Sequence, residues 1–245
     1  MANKLSKRQK RRLLRHEGID IRESNTSGIY LKETEPRTKN QQEIFDLFDN
    51  NHLMVHGYAG TGKTYVLLYL ALRSVLDRST PYEKVKIFRS AVATRNLGYL
   101  PGNAVAKMES FETPYHDIVE NLLGRDDAYA ILKSKNLVEF HPTSYIRGST
   151  YNNTIILVDE CQNLTWHEFS SLVTRVGLGT KIVFCGDSSQ SDLQRPFERM
   201  DIHRMIEICS CMPSFQLVQM EVDDIVRSGL VKEFLIHADK LGFSL

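Results

Sequence analysis

The sequence has few cysteines and no long apolar run, and both absences exclude whole classes of protein. No apolar stretch approaches the roughly 20 residues of a membrane-spanning helix, so no membrane partner is expected. The four cysteines, Cys161, Cys185, Cys209 and Cys211, lack the paired spacing of a zinc site. Cys161 and Cys185 sit in apolar contexts and are predicted to be buried thiols. Because these cysteines are expected as free thiols, a reducing cytoplasm is the expected location. No apolar segment follows the basic N-terminus, as it would in a secretory signal.

Charge is balanced over the whole chain but not along it. Lys and Arg number 31 against 30 Asp and Glu, which gives a net charge of +1. The first fifteen residues hold seven bases, from Lys4 to Arg15, and no acid, so the remainder is acidic overall. Such an arm is typical of contacts with nucleic-acid phosphates. A solvated tail, or a helix folded on the body, explains the same composition equally well.

Apolar patterning predicts alternating strands and helices after Pro36. Short continuous apolar runs mark buried strands, and longer amphipathic stretches mark the helices between them. This alternation predicts a mainly parallel sheet in a three-layer α/β domain over residues 36–245, preceded by a polar, basic arm over residues 1–35. The predicted strands are 53–56, 84–88, 137–140, 154–158, 181–185 and 215–220, and the predicted helices are 44–48, 65–76, 113–123, 166–176, 196–211 and 223–238.

The stretch GYAGTGKT, from Gly57 to Thr64, meets the phosphate-binding pattern G-x-x-x-x-G-K-[ST]. Its glycines let backbone N–H groups face phosphates without a side-chain clash. Lys63 is predicted to reach the β- and γ-phosphates, and the Thr64 hydroxyl to ligate Mg²⁺. The helix that follows points its positive end at the same anion. The predicted nucleotide contacts are Gly57, Tyr58, Ala59, Gly60, Thr61, Gly62, Lys63 and Thr64.

Two further polar sites follow buried runs. Asp159 and Glu160 come directly after TIILV, where we expect Asp159 to complete the Mg²⁺ shell and Glu160 to orient or deprotonate an attacking water. The run KIVFC leads into GDSSQ, whose Gln190 is predicted to sense the γ-phosphate. The carboxyl ends of parallel strands share one edge, where ligands of α/β folds collect. The three motifs together predict ATP with Mg²⁺ as the ligand.

Taken together, these motifs resemble those of the PhoH-like family, which comprises phosphate-starvation-inducible ATPases of bacteria and phages with a core similar to that of superfamily 1 helicases. The resemblance covers residues 40–238, and it implies a RecA-like P-loop NTPase fold and a compact bacterial or phage member. Its blocks are RSAVATRNLGYLPG (89–102), SYIRGSTYNNTIILVDECQN (144–163), LVTRVGLGTK (172–181), GDSSQ (186–190) and DDIVRSGLV (223–231).

The resemblance also implies roles for residues outside the P-loop. Gln41 sits upstream of the loop like the family's adenine-reading glutamine. The family suggests a hexameric ring, and because only one core fits in this chain, an arginine finger is expected from a neighbouring subunit. Arg227 and Arg147 are the candidates. The chain departs from the family at Tyr58, where a proline is usual, and at Ser149, which replaces an arginine.

Three functions fit these motifs. A motor would couple ATP hydrolysis to movement on, or remodelling of, RNA or single-stranded DNA in the cytoplasm, which for a phage member is that of the host. A nucleotide-gated binding module would hold nucleic acid without moving along it. A small-molecule kinase is favoured less, because the sequence shows no lid-like insertion and gives the GDSSQ motif no role.

Overall fold

The computed structural model describes residues 28–90, 104–146, 148, 150–187 and 202–241. Strands and helices alternate through these ranges, as the apolar pattern predicts. The strands are β1 (His52–Gly57), β2 (Lys84–Arg89), β3 (Val138–Pro142), β4 (Thr154–Asp159), β5 (Lys181–Gly186) and β6 (Phe215–Met220). The helices are α1 (Lys39–Phe48), α2 (Lys63–Leu76), α3 (Ala104–Leu123), α4 (Ala128–Ser134), α5 (Trp166–Val173), α6 (Ile202–Ser210) and α7 (Gly229–Lys240).

The six described strands form one parallel sheet in the order β3-β2-β4-β5-β1-β6. The prediction of a mainly parallel sheet is confirmed. All the carboxyl ends lie at the same edge, because every strand runs in the same direction. β5 lies between β1, which leads into the P-loop, and β4, which ends at Asp159. The two motifs are therefore one strand apart at the edge where α/β folds bind ligands.

Helices cover both faces of the sheet, which confirms the three-layer α/β class. Successive side chains of a strand point to opposite faces. Thus Ile155 and Leu157 of β4 join a core packed by α1 to α4, whereas Ile156 and Val158 join a second core packed by α5 and α6. Burial on both faces explains why the β4 sequence is continuously apolar rather than alternating.

The segment before α7 departs from its predicted helix. A short 3-10 turn spans Val222–Asp224, and α7 begins only at Gly229, so the predicted helix 223–238 is wrong over its first turn and a half. The physical reason is that backbone amides of this segment donate to acceptors other than helix carbonyls. The Asp224 carboxylate accepts from the Glu221 amide at 2.7 Å, and the Val226 amide donates to the P-loop carbonyl of Gly60 at 3.1 Å. The first bond closes the turn, and the second holds the segment against the P-loop.

Other element boundaries shift by smaller amounts. α5 ends at Val173 rather than at residue 176, and α3 begins nine residues before the predicted Thr113 and carries Pro114 inside it. The seven-residue helix α4 was not predicted, because so short a segment shows little periodicity. The first part of the predicted helix 196–211 lies outside the described residues.

The described end of the predicted arm lies on the body. Ile29 and Leu31 pack against the core formed with α1 to α4, and the Lys32 amide donates to the Leu122 carbonyl at 2.8 Å.

Cys161 and Cys185 are buried free thiols, as predicted. Within the described ranges, no helix combines the length and apolar character needed to cross a bilayer.

Candidate nucleotide site

The P-loop connects β1 to α2 and depends on glycines in conformations that other residues avoid. Gly57, Gly60 and Gly62 have φ angles of 123°, 75° and 79°. Gly57 also passes close to β6, because a Cβ atom built on it would lie 2.1 Å from the Met220 carbonyl oxygen. The backbone of β6 therefore supports the entry to the loop, and a larger residue at position 57 has no room.

Gln41 fastens the P-loop to α1. The helix begins after Thr38, whose hydroxyl accepts from the Gln41 amide at 3.3 Å. The side chain of Gln41 is buried, donates from Nε2 to the Thr61 carbonyl at 2.9 Å and accepts at Oε1 from the Arg37 amide at 2.8 Å. Both ends of the amide thus bind the protein itself. Gln41 shapes the loop here, and its role in reading adenine stays a prediction.

The segment before α7 holds the loop from the other side. The Val226 amide bonds to Gly60, and a Cβ atom at Gly60 would lie 2.9 Å from Cγ of Arg227. The aliphatic part of Arg227 therefore crosses the P-loop of its own chain, with the side chain exposed. The Asp224 carboxylate binds this segment to α1, since its Oδ2 accepts from the side-chain Nδ2 of Asn40 at 2.7 Å.

Lys63 begins α2 and turns its amine back into the loop. Its Nζ donates to the carbonyls of Gly57 at 2.8 Å and Tyr58 at 2.7 Å. Burial lowers the pKa of Lys63 below its ordinary value, although nearby carboxylates, Asp187 foremost, oppose that shift. The amine thus lies inside the phosphate loop with negative groups around it.

The Thr64 and Asp159 side chains meet at the sheet edge, at the ends of strands that flank β5. The Thr64 hydroxyl donates to Oδ1 of Asp159 at 2.9 Å. Asp159 is almost fully buried. A hydroxyl and a carboxylate oxygen at this separation are hard oxygen donors of the kind that Mg²⁺ takes beside a nucleotide phosphate. The donor set fits this ion.

Glu160 follows Asp159 and adopts a left-handed backbone conformation with φ 52°. Gln162 donates from Nε2 to Oε2 of Glu160 at 2.6 Å, and Arg89 Nη2 lies 4.0 Å from Oε1. Burial, followed by the charge of Asp159, raises the pKa of Glu160 above its ordinary value. The other end of the Gln162 amide accepts from the Asp187 amide at 3.0 Å. Gln162 therefore joins the ends of β4 and β5.

Sequence reasoning missed two residues of the carboxylate cluster. Tyr115 of α3 donates from its hydroxyl to Oδ2 of Asp159 at 2.7 Å, and the Cys185 thiol donates to Oδ1 at 3.1 Å. Tyr115 carries no motif signal, since its position on the apolar face of α3 is that of an ordinary core residue. Cys185 was predicted only as a buried thiol.

The structure thus brings together Gln41, the P-loop, Asp159, Glu160 and Arg227 at one edge of the sheet. Gln190 and Arg147 lie outside the described residues, so their predicted roles stay predictions. Asp187, which opens the GDSSQ loop, is buried beside this edge.

A glycine-rich loop between a parallel strand and a helix, with a Thr–Asp pair beside it, defines a P-loop protein of the nucleotide-binding class. Within that class, the chain belongs to the PhoH-like protein family, whose model matches residues 33–238. The resemblance given by the motifs is confirmed.

Curated relatives agree with this assignment. A PhoH-like protein of Bacillus subtilis is 29% identical over 220 residues, which cover 89% of this chain and 68% of that protein. A PhoH-like protein of Mycobacterium tuberculosis is 31% identical over 206 residues, which cover 83% of this chain and 57% of that protein. Protein PhoH2 of B. subtilis is 38% identical over 140 residues, which cover 56% of this chain and 31% of that protein. The chain therefore spans about a third to two thirds of the length of these relatives.

One solved structure, the large terminase of a thermophilic bacteriophage in complex with ADP, superposes with a TM-score of 0.47. Its identity is 13%, and the alignment covers 81% of this chain and 49% of that one. At that distance the superposition supports no statement about this chain.

Proposed function

We propose that this protein is an ATPase that hydrolyses the γ-phosphate of ATP with the help of Mg²⁺. The observation that carries the proposal is the contact between Thr64 and Asp159, 2.9 Å apart, with Glu160 directly beside them. Glu160 places a second carboxylate next to the Thr64–Asp159 pair, where a group that orients or deprotonates water would stand. The experiment is a phosphate-release assay on the purified chain with ATP, with and without Mg²⁺.

Each residue has a defined task in this reaction. Lys63 would exchange its bonds to the loop carbonyls for the phosphate oxygens, and the P-loop amides would hold the β-phosphate. Thr64 and Asp159 would hold Mg²⁺, which neutralises charge on the phosphates. Glu160, with its raised pKa, would orient the attacking water and accept its proton. Gln162 keeps the Glu160 carboxylate in place.

RNA or single-stranded DNA is the proposed substrate on which hydrolysis acts. Support comes from the basic arm and from the similarity of the family's core to that of superfamily 1 helicases. Stimulation of the ATPase rate by RNA or single-stranded DNA is the expected result. Tight binding without stimulation would favour the nucleotide-gated module, and stimulation by a small metabolite would favour the kinase.

Removal of residues 1–15 is expected to weaken nucleic-acid binding. The seven bases of this arm can each neutralise a phosphate, and each contact on a single strand contributes about 0.7 to the slope of log affinity against log salt. Loss of all seven would flatten that slope by up to about 5. Fluorescence anisotropy of a labelled RNA over a series of salt concentrations measures it. A full-length variant with the seven bases changed to glutamine should match the deletion; affinity equal to wild type in both would make the arm a solvated tail.

A homo-oligomer is proposed as the functional state. Helix α7 follows the segment that crosses the P-loop and exposes Leu230, Val231 and Phe234, with exposed fractions of 77%, 40% and 58%. Large exposed apolar side chains beside a nucleotide site are typical of surfaces that another protein covers. A hexameric ring is the form that the family resemblance suggests. Light scattering at micromolar concentration with ATP should show an assembly, and a monomer would contradict this.

Arg227 is expected to act on the P-loop of its own chain, because its side chain already crosses Gly60 there. Arg227→Ala should lower turnover, by up to about 10³-fold if it stabilises the transferring phosphoryl group. Mixing Arg227→Ala with Lys63→Ala distinguishes the two arrangements. An arginine acting within one chain leaves the mixture inactive, whereas a finger from a neighbour restores activity in mixed assemblies. Pull-down of a tagged copy confirms that the subunits have mixed.

A further inference from the structure

A buried tyrosine binds one oxygen of the Asp159 carboxylate, and Thr64 binds the other. Tyr115 is fully buried on α3, and its hydroxyl donates to Oδ2 of Asp159 at 2.7 Å. Oδ1 of the same carboxylate accepts from Thr64 at 2.9 Å and from the Cys185 thiol at 3.1 Å. The two oxygens therefore have different donors, and Tyr115 is the donor to Oδ2. Rotation of the carboxylate would break both bonds together.

The Tyr115 hydroxyl has one hydrogen to donate, and it donates it to Oδ2 of Asp159. Arg89, at the end of β2, places its Nη2 4.0 Å from Oε1 of Glu160, so the second carboxylate has its own neighbouring cation. A phenylalanine at position 115 would fill the same space without the bond to Asp159.

We propose that Tyr115 is a positioning residue of the magnesium site: it fixes Oδ2 of Asp159 and so keeps the carboxylate in the orientation in which Asp159 and Thr64 would hold Mg²⁺. The inference rests on the proposed function, since it assigns Asp159 to Mg²⁺. Groups behind a metal ligand orient it, and their removal typically weakens metal affinity about 10- to 100-fold. Tyr115 does not touch the P-loop in any contact described, so the affinity for nucleotide without metal should not depend on it.

The test is Tyr115→Phe, read by binding rather than by turnover. Affinity for a fluorescent ATP analogue is measured by titration in EDTA and over a series of Mg²⁺ concentrations. The variant should bind the analogue in EDTA within about twofold of wild type and should need about 10-fold more Mg²⁺ to reach the high-affinity state. This readout does not use hydrolysis, so it tests Tyr115 separately from the proposed ATPase activity. If the wild-type protein bound Mg²⁺ and ATP but did not hydrolyse ATP, the proposed ATPase activity would be contradicted. The comparison of Mg²⁺ requirements between wild type and Tyr115→Phe would still decide the role of Tyr115.

Tyr129→Phe is the matched control. Tyr129 of α4 is also buried and donates to a carboxylate, Glu112, at 2.7 Å, but it lies in the packing between α3 and α4. Its loss should leave the Mg²⁺ requirement unchanged. An unchanged Mg²⁺ requirement in Tyr115→Phe would overturn the proposal. So would an equal rise in both variants, because it would show a general effect of loosening this helix layer. A wild type indifferent to Mg²⁺ would overturn the metal site together with the inference.

Discussion

Lys63→Ala should abolish ATP hydrolysis, with turnover lowered at least about 10²- to 10³-fold. Its amine is the only one that the structure, over the ranges described, places within hydrogen-bond reach of the P-loop carbonyls of Gly57 and Tyr58. Charge develops on the phosphate oxygens during the reaction, and a cation fixed beside them lowers that barrier. Nucleotide affinity should fall as well, since the same amine would bind the ground-state phosphates. A phosphate-release assay and a nucleotide titration measure both effects.

The control for Lys63→Ala is a lysine whose loss leaves the site untouched. Lys133 of α4 is half exposed and bonds to Glu112 at 2.8 Å, in the layer of α3 and α4. Lys133→Ala should hydrolyse ATP at the wild-type rate. Circular dichroism of both variants checks the fold, because Lys63 also bonds to its own loop. Retained turnover in a folded Lys63→Ala protein would contradict the proposed reaction.

The sheet could be predicted because its strands carry strong local signals. β4 and β5 are buried on both faces and read as continuous apolar runs, and both were located to within one residue. The P-loop and the Thr64–Asp159 pair could be predicted for a different reason. Their chemistry requires fixed residue types at fixed places next to those strands. Motif and strand together determine the position of the side chains at the sheet edge.

Other parts of the site could not be predicted, because they depend on contacts between distant segments. Residues 223–228 have helical periodicity, yet the Val226 amide bonds to Gly60 instead of extending α7. The same segment places the side chain of Arg227 beside Gly60 of its own chain, a contact that no sequence pattern marks, while its role as a finger for a neighbouring subunit stays a prediction. Tyr115 has the sequence pattern of a core residue. The contact of its hydroxyl with Asp159 depends on how α3 packs beside β4, which the sequence does not show.

Glu160→Gln should trap ATP on the protein. The substitution keeps the size of the side chain, and the new amide oxygen can still accept from Gln162, which now donates to Oε2 at 2.6 Å. What disappears is the carboxylate that would accept a proton from water. Loss of a general base costs about 10²- to 10⁴-fold, so hydrolysis should fall by that factor while ATP affinity stays within a few fold.

Single-turnover hydrolysis with radiolabelled ATP, beside an equilibrium binding measurement, separates the two effects of Glu160→Gln. Glu207→Gln on α6 provides the control, because α6 packs on the face of the sheet opposite to α2. This substitution should change neither turnover nor ATP affinity. Lys63→Ala loses affinity and turnover together, whereas Glu160→Gln should lose turnover alone. That contrast distinguishes a group that binds phosphate from a group that activates water. Normal turnover in Glu160→Gln would place the base elsewhere, and Asp187, buried beside the same edge, would be the next carboxylate to replace.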